Sequence, residues 1–337
     1  MIRIPKFNLN RIIIIIGAVA LFLVVAFFFW LNETIIINND NGADEELKPE
    51  SPLTGIRCAN YTQRPIAVMM ASDEEARPLS GLSQADLVFE MPVAPNGITR
   101  LMAVFQCEKP EEIGSVRSAR GDFIPLAAGI GAILAHWGGE QEALKQLNSQ
   151  IIDNVDAMKY EGTVFYRKKN TKPPHNGFTD WDKLFEKAES LNYNLTDKFS
   201  GYLHGQEKIS KNLSDIVSNI SINYPAPYNI QWNYEQNTNI YQRTRNGEPE
   251  TDKNSGKEIS ASVIIVMKTN SRFISDQYIA VDTEGGGDAI IYQNGVSTSG
   301  KWFKNAGSLT NKLYFYDDNG QEIKFTPGKM WVEIVTN

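Results

Sequence analysis

The stretch of residues 113–139, IGSVRSARGDFIPLAAGIGAILAHWGG, contains polar side chains of the types that bind anions. Arg117, Ser118 and Arg120 precede a short helix predicted over residues 123–129, which Asp122 could cap. Free N–H groups at a helix N-terminus and forked guanidinium donors both suit phosphate, sulfate or carboxylate groups. This pattern predicts an anion site. The alternative is that these arginines form structural salt bridges with nearby acids, namely Glu90, Glu111 or Glu112.

Four further polar residues could belong to the same site. His136 ends a predicted buried strand and is followed by a glycine pair, and ligands of α/β proteins collect at the carboxyl ends of strands. His175 and Asn176 follow two prolines in a loop that could project both side chains toward one opening. Arg100 lies inside a predicted strand, where a charged side chain between apolar neighbours usually faces a specific partner or ligand. A hydrogen-bonded core histidine and an ordinary surface loop are the alternative interpretations.

Glu90, at the end of the apolar run LVFE, is the best acid/base candidate in the chain. Burial would raise its pKa, and a nearby arginine would restore the ionised form. A cross-strand pair between Glu90 and Arg100 is the structural alternative. Ser118 lacks a GxSxG or SxxK context for a nucleophile. A metal site drawn from Glu90, Asp86, His136 and His175 has no supporting ligand spacing, so the sequence predicts neither a metal nor a cofactor.

Composition narrows the class of partner. The 337 residues carry 33 Lys and Arg against 40 Asp and Glu, a net charge of −7 that argues against nucleic acid. The only cysteines, Cys58 and Cys107, cannot form a structural zinc site. They could pair in an oxidising compartment or remain two separate buried thiols, and the sequence leaves both possibilities open.

The N-terminus predicts the compartment. Residues 12–30 are an unbroken apolar run of the length that spans a bilayer as a helix. Basic residues in segment 1–11 and acidic residues after the run predict a cytoplasmic N-terminus and an exported remainder. A cleaved signal peptide is the alternative, but the run ends in bulky residues without a small-residue cleavage site. Residues 31–52 are polar and acidic, which predicts a disordered linker.

The remaining chain predicts an α+β, mixed α/β protein in two units. Residues 53–200 combine buried strands, one hairpin around the APNG turn and two amphipathic helices, which indicates an α/β unit. The second of these helices opens after Thr179 with a capping-box-like start. Residues 201–223 contain a possible connecting helix, KNLSDIVSNI. Residues 224–337 are short alternating runs broken by Gly, Asn and Asp, with Asn294-Gly295 as a strong hairpin signal, which is typical of a mostly antiparallel β unit with few helices.

Several motifs, taken in order, resemble the YerB-like bacterial envelope proteins. They are ARPLSGLSQADLVFE, ITRLMAVF, IGSVRSAR, HWGG, FYRKKNTKPPHN, GKW and NGQEIKFTPGKMWVEIV. The resemblance covers roughly residues 53–335 and implies an α/β N-terminal unit and a mostly β C-terminal unit of uncharacterised function. This sequence departs from the family pattern at three points. No cysteine for lipid attachment lies near Trp30, Gly121-Asp122 stand where the family has an aromatic-type residue, and Trp137 stands where the family has a smaller one.

The sequence thus predicts a single-pass, membrane-anchored extracytoplasmic protein whose N-terminal unit binds an anionic or glycan-like envelope ligand in one pocket. The predicted pocket residues are Glu90, Arg100, Arg117, Ser118, Arg120, His136, His175 and Asn176. The first alternative is a hydrolase of a cell-envelope polymer, with Glu90 as acid/base and His136 as the second catalytic candidate. The other is a non-catalytic scaffold that docks another envelope protein.

Overall fold

A computed structural model describes residues 49–205 and 216–337 of the chain. The predicted cytoplasmic and membrane segments lie outside these residues, as does the first half of the predicted connecting helix KNLSDIVSNI. Its last two residues, Asn219 and Ile220, begin a strand instead. None of the described helices combines the length and the apolar composition that a bilayer crossing requires. The predicted linker reaches too far, because Glu50 already bridges to Arg57 and buried Ser51 donates a 2.8 Å hydrogen bond to Gln106.

Strands dominate the described residues, in agreement with a β-rich protein that has few helices. The α-helices are α1 (Ile124–Gly129), α2 (Gln141–Asn148), α3 (Ala157–Tyr160) and α4 (Trp181–Ser190). The strands are β1 (Ile66–Ala71), β2 (Leu87–Pro92), β3 (Thr99–Phe105), β4 (Ile113–Gly114), β5 (Ile133–His136), β6 (Asn154–Asp156), β7 (Tyr166–Arg167), β8 (Gly177–Thr179), β9 (Asn219–Ile222), β10 (Ile230–Glu235), β11 (Ile240–Arg245), β12 (Glu248–Pro249), β13 (Ser260–Ala261), β14 (Val263–Thr269), β15 (Ser271–Phe273), β16 (Ile279–Val281), β17 (Gly285–Gln293), β18 (Val296–Lys304), β19 (Tyr314–Asp317) and β20 (Met330–Thr336).

One ten-stranded mixed sheet organises the fold, in the order β19-β18-β17-β14-β20-β2-β3-β1-β5-β6. Its central strands β1, β2 and β3 are buried along their whole length and mostly apolar, as expected for strands covered on both faces. β20, near the C-terminus of the chain, lies between β2 and β14 and is parallel to both. Strands from either side of the predicted connector therefore share one sheet. The predicted division into two domains remains a prediction.

Both faces of this sheet are covered. Apolar residues of α1 and α2 pack on one face, and those of α4 pack on the other together with the smaller sheet of β9–β13. At the centre of this second layer, the rings of Trp232 and Trp331 meet edge to face with centroids 5.2 Å apart. Aromatic rings in this arrangement stabilise the fold by more than their buried area alone.

Several local predictions are confirmed and two need correction. β2 and β3 form the predicted antiparallel hairpin, and Asn294-Gly295 turns β17 into β18 with positive φ at both residues. The residue that caps α4 is Asp180, which accepts a hydrogen bond from the Lys183 N–H, so the predicted cap at Thr179 was one residue early. Asp122 does not cap α1, because its side chain accepts from the Val281 N–H instead.

A disulfide joins Cys58 to Cys107, with Cα atoms 5.6 Å apart across a sequence separation of 49. It ties the chain before β1 to the end of β3, strands that are neighbours in the sheet. This finding selects the paired alternative for the two cysteines. Structural disulfides persist in oxidising compartments, so the bond agrees with an exported fold.

Candidate functional site

The candidate site lies where the parallel strands β1 and β5 reach their carboxyl ends. Backbone hydrogen bonds seat the segment 115–119 beside this edge, because Ala71 N–H donates to Ser115 O at 3.0 Å and Arg117 N–H donates to Met69 O at 2.8 Å. On its other side, Trp137 N–H donates to Arg117 O at 3.0 Å. The extended segment therefore brings its arginines to the edge where α/β proteins bind ligands.

Arg100 is the most unusual side chain at this edge. It is 3% exposed, and neither its Nε nor its Nη1 atom has a hydrogen-bond partner among the described residues. Burial lowers its pKa to about 9, and the charges of Arg117 and Arg120 contribute to the decrease. Asp73 is the acid that acts most strongly in the opposite direction. A buried cation thus sits among other cations without an adequate counter-charge.

Arg117 and His175 lie beside Arg100. Arg117 is half-buried and donates from Nη1 to Pro174 O at 3.1 Å, while its buried Nε has no partner among the described residues. His175 is 8% exposed, and its Nδ1 atom also lacks a described partner. Burial lowers the pKa of His175, and the charges of Arg117 and Arg100 lower it further. With these two residues, the nitrogen atoms that lack a described partner continue from Arg100 toward the surface.

Arg120 completes this group. Its Nη1 atom donates to Ala119 O at 2.9 Å, its guanidinium stacks 4.9 Å from the ring centre of Tyr278, and its Nε has no described partner. Burial lowers its pKa, and Glu140 is the charge that opposes this shift most. The arginine cluster is defined here as Arg100, Arg117, Arg120 and His175.

Two predicted ligand residues have structural hydrogen bonds instead. Ser118 donates from Oγ to Trp137 O at 3.2 Å, and Asn176 accepts at Oδ1 from Arg167 Nη1 at 3.0 Å. Both bonds fix the loops that hold the arginine cluster. The structure therefore places these residues next to the cluster, with their side chains engaged elsewhere.

His136 lies at the end of β5 with its side chain buried in the core. It is fully buried, its Nδ1 lies 2.8 Å from Gly138 O, and its Nε2 lies 3.3 Å from Asn154 Oδ1. Both ring nitrogens have partners and no solvent reaches them. The prediction of His136 as a catalytic residue therefore needs correction. The hydrogen-bonded core histidine was the alternative, and it describes this geometry.

Glu90 does not share a pocket with Arg100. It pairs with Leu101 across β2 and β3, and successive side chains of a strand point to opposite faces, so Glu90 and Arg100 lie on different faces of the sheet. The predicted common pocket and the Glu90–Arg100 pair are therefore both wrong. Thr99 Oγ1 donates to Glu90 at 2.5 Å on the face that the second sheet covers.

Glu90 instead belongs to a buried ion network that spans the two layers. Arg245 Nη2 donates to its two carboxylate oxygens at 2.9 and 2.8 Å, and Arg243 bonds Glu90 and Glu250. Burial raises the pKa of Glu90, but the charges of Arg245 and Arg243 outweigh burial and hold it below its ordinary value. Glu90 is fully buried, so its carboxylate has no access to a substrate.

Glu333 completes the buried ion network from the neighbouring strand β20. It lies directly beside Glu90 in the parallel register and accepts from Trp232 Nε1 at 3.0 Å. Burial raises its pKa to about 7, the charge of Glu90 adds to this increase, and Arg243 opposes it. Near neutral pH, a protonated Glu333 leaves two carboxylates to balance two guanidinium groups.

Sequence reasoning missed the partners of Glu90. Arg243 and Arg245 stand two residues apart in QRTR, a spacing that places both on one face of a strand. That pattern was a usable signal for a pair of inward arginines. Nothing in the sequence indicated which acids they would meet, because Glu90 lies more than 150 residues earlier in the chain.

A cavity of about 690 Å³ lies elsewhere and has a mixed lining. Its charged residues are Glu108, Lys109, Glu111, Glu112, Lys257 and Lys329. Three carboxylates oppose three ammonium groups there, so the cavity has no excess of either charge. Among the described residues, no group of three His, Cys, Asp or Glu side chains is placed to hold a metal ion.

Comparison with known proteins gives consistent matches along the chain. Residues 53–194 match the family described as "Protein of unknown function (DUF3048) N-terminal domain", and residues 220–332 match the corresponding C-terminal domain. The chain is 32% identical over 298 residues to "Putative lipoprotein YerB" of Bacillus subtilis (strain 168), covering 87% of this chain and 88% of that protein. The crystal structure of YerB from Bacillus subtilis superimposes with a TM-score of 0.78 at 31% identity, covering 86% of this chain and 97% of that one.

Proposed function

Because the chain belongs to the DUF3048 family of YerB-like proteins, we propose that it is an extracytoplasmic envelope protein that binds an anionic ligand at the arginine cluster. The location is supported by the disulfide and by the relative's description as a lipoprotein. The apolar run at residues 12–30 supports attachment to the membrane. The family has no assigned activity, so the ligand is argued from the site alone.

The observation that carries the proposal is buried Arg100, which forms no ion pair with any described residue. An isolated charge in a protein interior is costly, and proteins normally pair it or bond it fully. The charges nearest Arg100 are chiefly positive, and two of its donor atoms are unpartnered. A bound anion would supply the counter-charge and accept charge-assisted hydrogen bonds. Phosphate, sulfate and carboxylate groups all have this chemistry.

Catalysis has weaker support than binding. The hydrolase alternative needs Glu90 beside a cleft with a second carboxylate across it. Glu90 is instead sealed between two layers and held as a carboxylate by two arginines. The arginine cluster contains no nucleophile with an adjacent base. A binding protein therefore fits the described residues better than a hydrolase does.

Replacing Arg100 with methionine tests the proposal through binding and stability together. We expect Arg100→Met to weaken sulfate binding to the full-length chain at least about tenfold, because a buried charge-assisted bond is lost. We expect its free energy of unfolding to be unchanged or raised, by up to about 4 kcal/mol, because an unpaired buried charge is removed. Titration calorimetry and urea unfolding in a non-ionic detergent measure the two quantities.

Arg243→Met is the matched control, since Arg243 is equally buried but forms ion pairs with Glu90 and Glu250 in the buried ion network. It should destabilise the protein and leave the arginine cluster intact. A loss of stability in Arg100→Met similar to that of Arg243→Met would assign Arg100 a structural role. Undiminished sulfate binding by Arg100→Met would also overturn the proposal.

His175 makes binding depend on pH in a defined direction. Its pKa is lowered by burial first, then by Arg117 and Arg100, while Asp73 and Glu75 act in the opposite direction. The ring is therefore mostly neutral at about pH 7. A bound anion favours the imidazolium, so lowering the pH from about 7 to 5 should strengthen sulfate binding about threefold to tenfold. Sulfate keeps its charge over this range.

The calorimetric titration should be repeated at both pH values with His175→Gln. This variant keeps a polar side chain that cannot gain charge, so its sulfate affinity should vary much less with pH. An equal increase in affinity in both proteins would show that His175 does not face the bound anion.

A further inference from the structure

The loop that joins β7 to β8 continues the positive charge of the arginine cluster along the surface. Residues 167–175, RKKNTKPPH, contain five basic side chains and no acid. Pro174 O accepts the hydrogen bond from Arg117 Nη1, so the loop is joined directly to the cluster. His175 is a member of both.

Two of these five basic side chains are already paired. Arg167 Nε lies 2.7 Å from Glu161 Oε1, and Lys168 Nζ lies 2.5 Å from Glu112. These contacts hold the first part of the loop in place. They also occupy Glu161 and Glu112, so these two acids do not compensate the later lysines.

Lys169 and Lys172 are both exposed. Neither forms an ion pair with any residue in the part of the chain that the structure describes. The N–H of His175 donates to Lys172 O at 3.0 Å, which folds Lys172 back near the cluster. Free positive charge therefore runs from buried Arg100 through half-buried Arg117 to exposed Lys172 and Lys169.

This arrangement suits a ligand with several negative charges better than a single small anion. An anion bound at Arg100 reaches only the donors that surround it, and the outer lysines would add little to its affinity. A chain of linked anionic groups could place one group in the cluster and the next groups on the loop. Linked contacts of this kind raise affinity without needing any single strong bond.

We propose that the ligand is a linear polyanion, with one anionic group at the arginine cluster and neighbouring groups on Lys169 and Lys172. This inference rests on the proposed function, because it takes the cluster as the inner end of the site. Each exposed ion pair is weak and sensitive to salt. The loop should therefore contribute salt-dependent affinity that the buried cluster does not.

The test compares inorganic polyphosphate with orthophosphate as probes of the full-length chain. The double variant Lys169→Ala/Lys172→Ala should bind polyphosphate about tenfold more weakly than the natural chain, and orthophosphate almost equally well. Its affinity for polyphosphate should also depend less steeply on salt, since fewer ion pairs form. Lys268→Ala/Lys324→Ala is the matched control, because both lysines are exposed and are not part of the loop.

The outcomes separate the two proposals. If polyphosphate affinity is unchanged in the loop variant, or falls equally in the control, the polyanion inference fails while orthophosphate binding can still support the cluster. If the natural chain binds neither probe, the anion-binding function itself fails. If both probes bind and Arg100→Met affects neither, the cluster is not the site, and both proposals fail together.

Discussion

Replacing Glu90 with glutamine is expected to lower the free energy of unfolding by about 3–5 kcal/mol, among the largest effects of any single substitution in this protein. The variant keeps the shape of the side chain and removes only its charge. Arg243 and Arg245 would then remain buried with less negative charge to balance them. Breaking a buried ion pair from one side leaves the other charge uncompensated, which is why the cost is high.

Glu333→Gln is the control for this experiment, because Glu333 is equally buried and lies beside Glu90 in the sheet. Its pKa of about 7 means that a large fraction of Glu333 is already neutral near pH 7. The control should therefore lose less than about 1 kcal/mol. Urea unfolding at neutral pH measures both variants. Equal losses would mean that the ionic charge of Glu90 does not hold the two layers together.

Removing the disulfide is the second change with a large expected effect. The bond closes a loop with a sequence separation of 49. Loop-closure entropy predicts that Cys58→Ser/Cys107→Ser lowers the free energy of unfolding by about 4 kcal/mol. Both cysteines are partly exposed, so the serine hydroxyls can be hydrated and add little further cost.

Chemical denaturation with and without a reducing agent provides the measurement and its control. The natural chain should lose a similar amount of stability when it is reduced, whereas the double serine variant should be insensitive to the reductant. A natural chain that unfolds identically under both conditions would mean that the disulfide adds no stability. The disulfide would then no longer support an exported, oxidised fold.

The sequence predicted the parts of the fold that depend on nearby residues. The β2–β3 hairpin, the Asn294-Gly295 turn and the strand ending at His136 all follow from local periodicity and turn chemistry. The insertion of β20 between β2 and β14 could not be predicted this way. It pairs strands more than 200 residues apart in the chain, and no local pattern records such a contact.

The same difference between local and long-range contacts explains which of the predicted site residues lie together in the structure. Arg100 was selected as a charge within an apolar strand, Arg117 as a donor before a helix N-terminus and His175 as a residue after two prolines. The structure brings these three together. Glu90 was selected, like Arg100, as a charge within an apolar strand. Its partners are supplied by β11, from the second layer of the fold. Local sequence showed that each charge needed a partner and could not show which ones the fold would provide.

The ion network and the arginine cluster therefore represent two different solutions for buried charge. Glu90, Arg243 and Arg245 neutralise one another inside the protein. Arg100 lies on the other face of the sheet and has no equivalent partner within residues 49–205 and 216–337. Proteins retain costly, unpaired groups mainly at functional sites, where a ligand completes them.

The most direct test is to locate a bound anion by crystallography. Crystals of the protein soaked in selenate should show an anomalous peak within hydrogen-bond distance of the Arg100 guanidinium, with Arg117 and His175 as further contacts. The peak should be absent from crystals of Arg100→Met soaked in the same way. Selenate bound only at other positions, or the same peak in both crystals, would contradict the assignment of the arginine cluster as the ligand site.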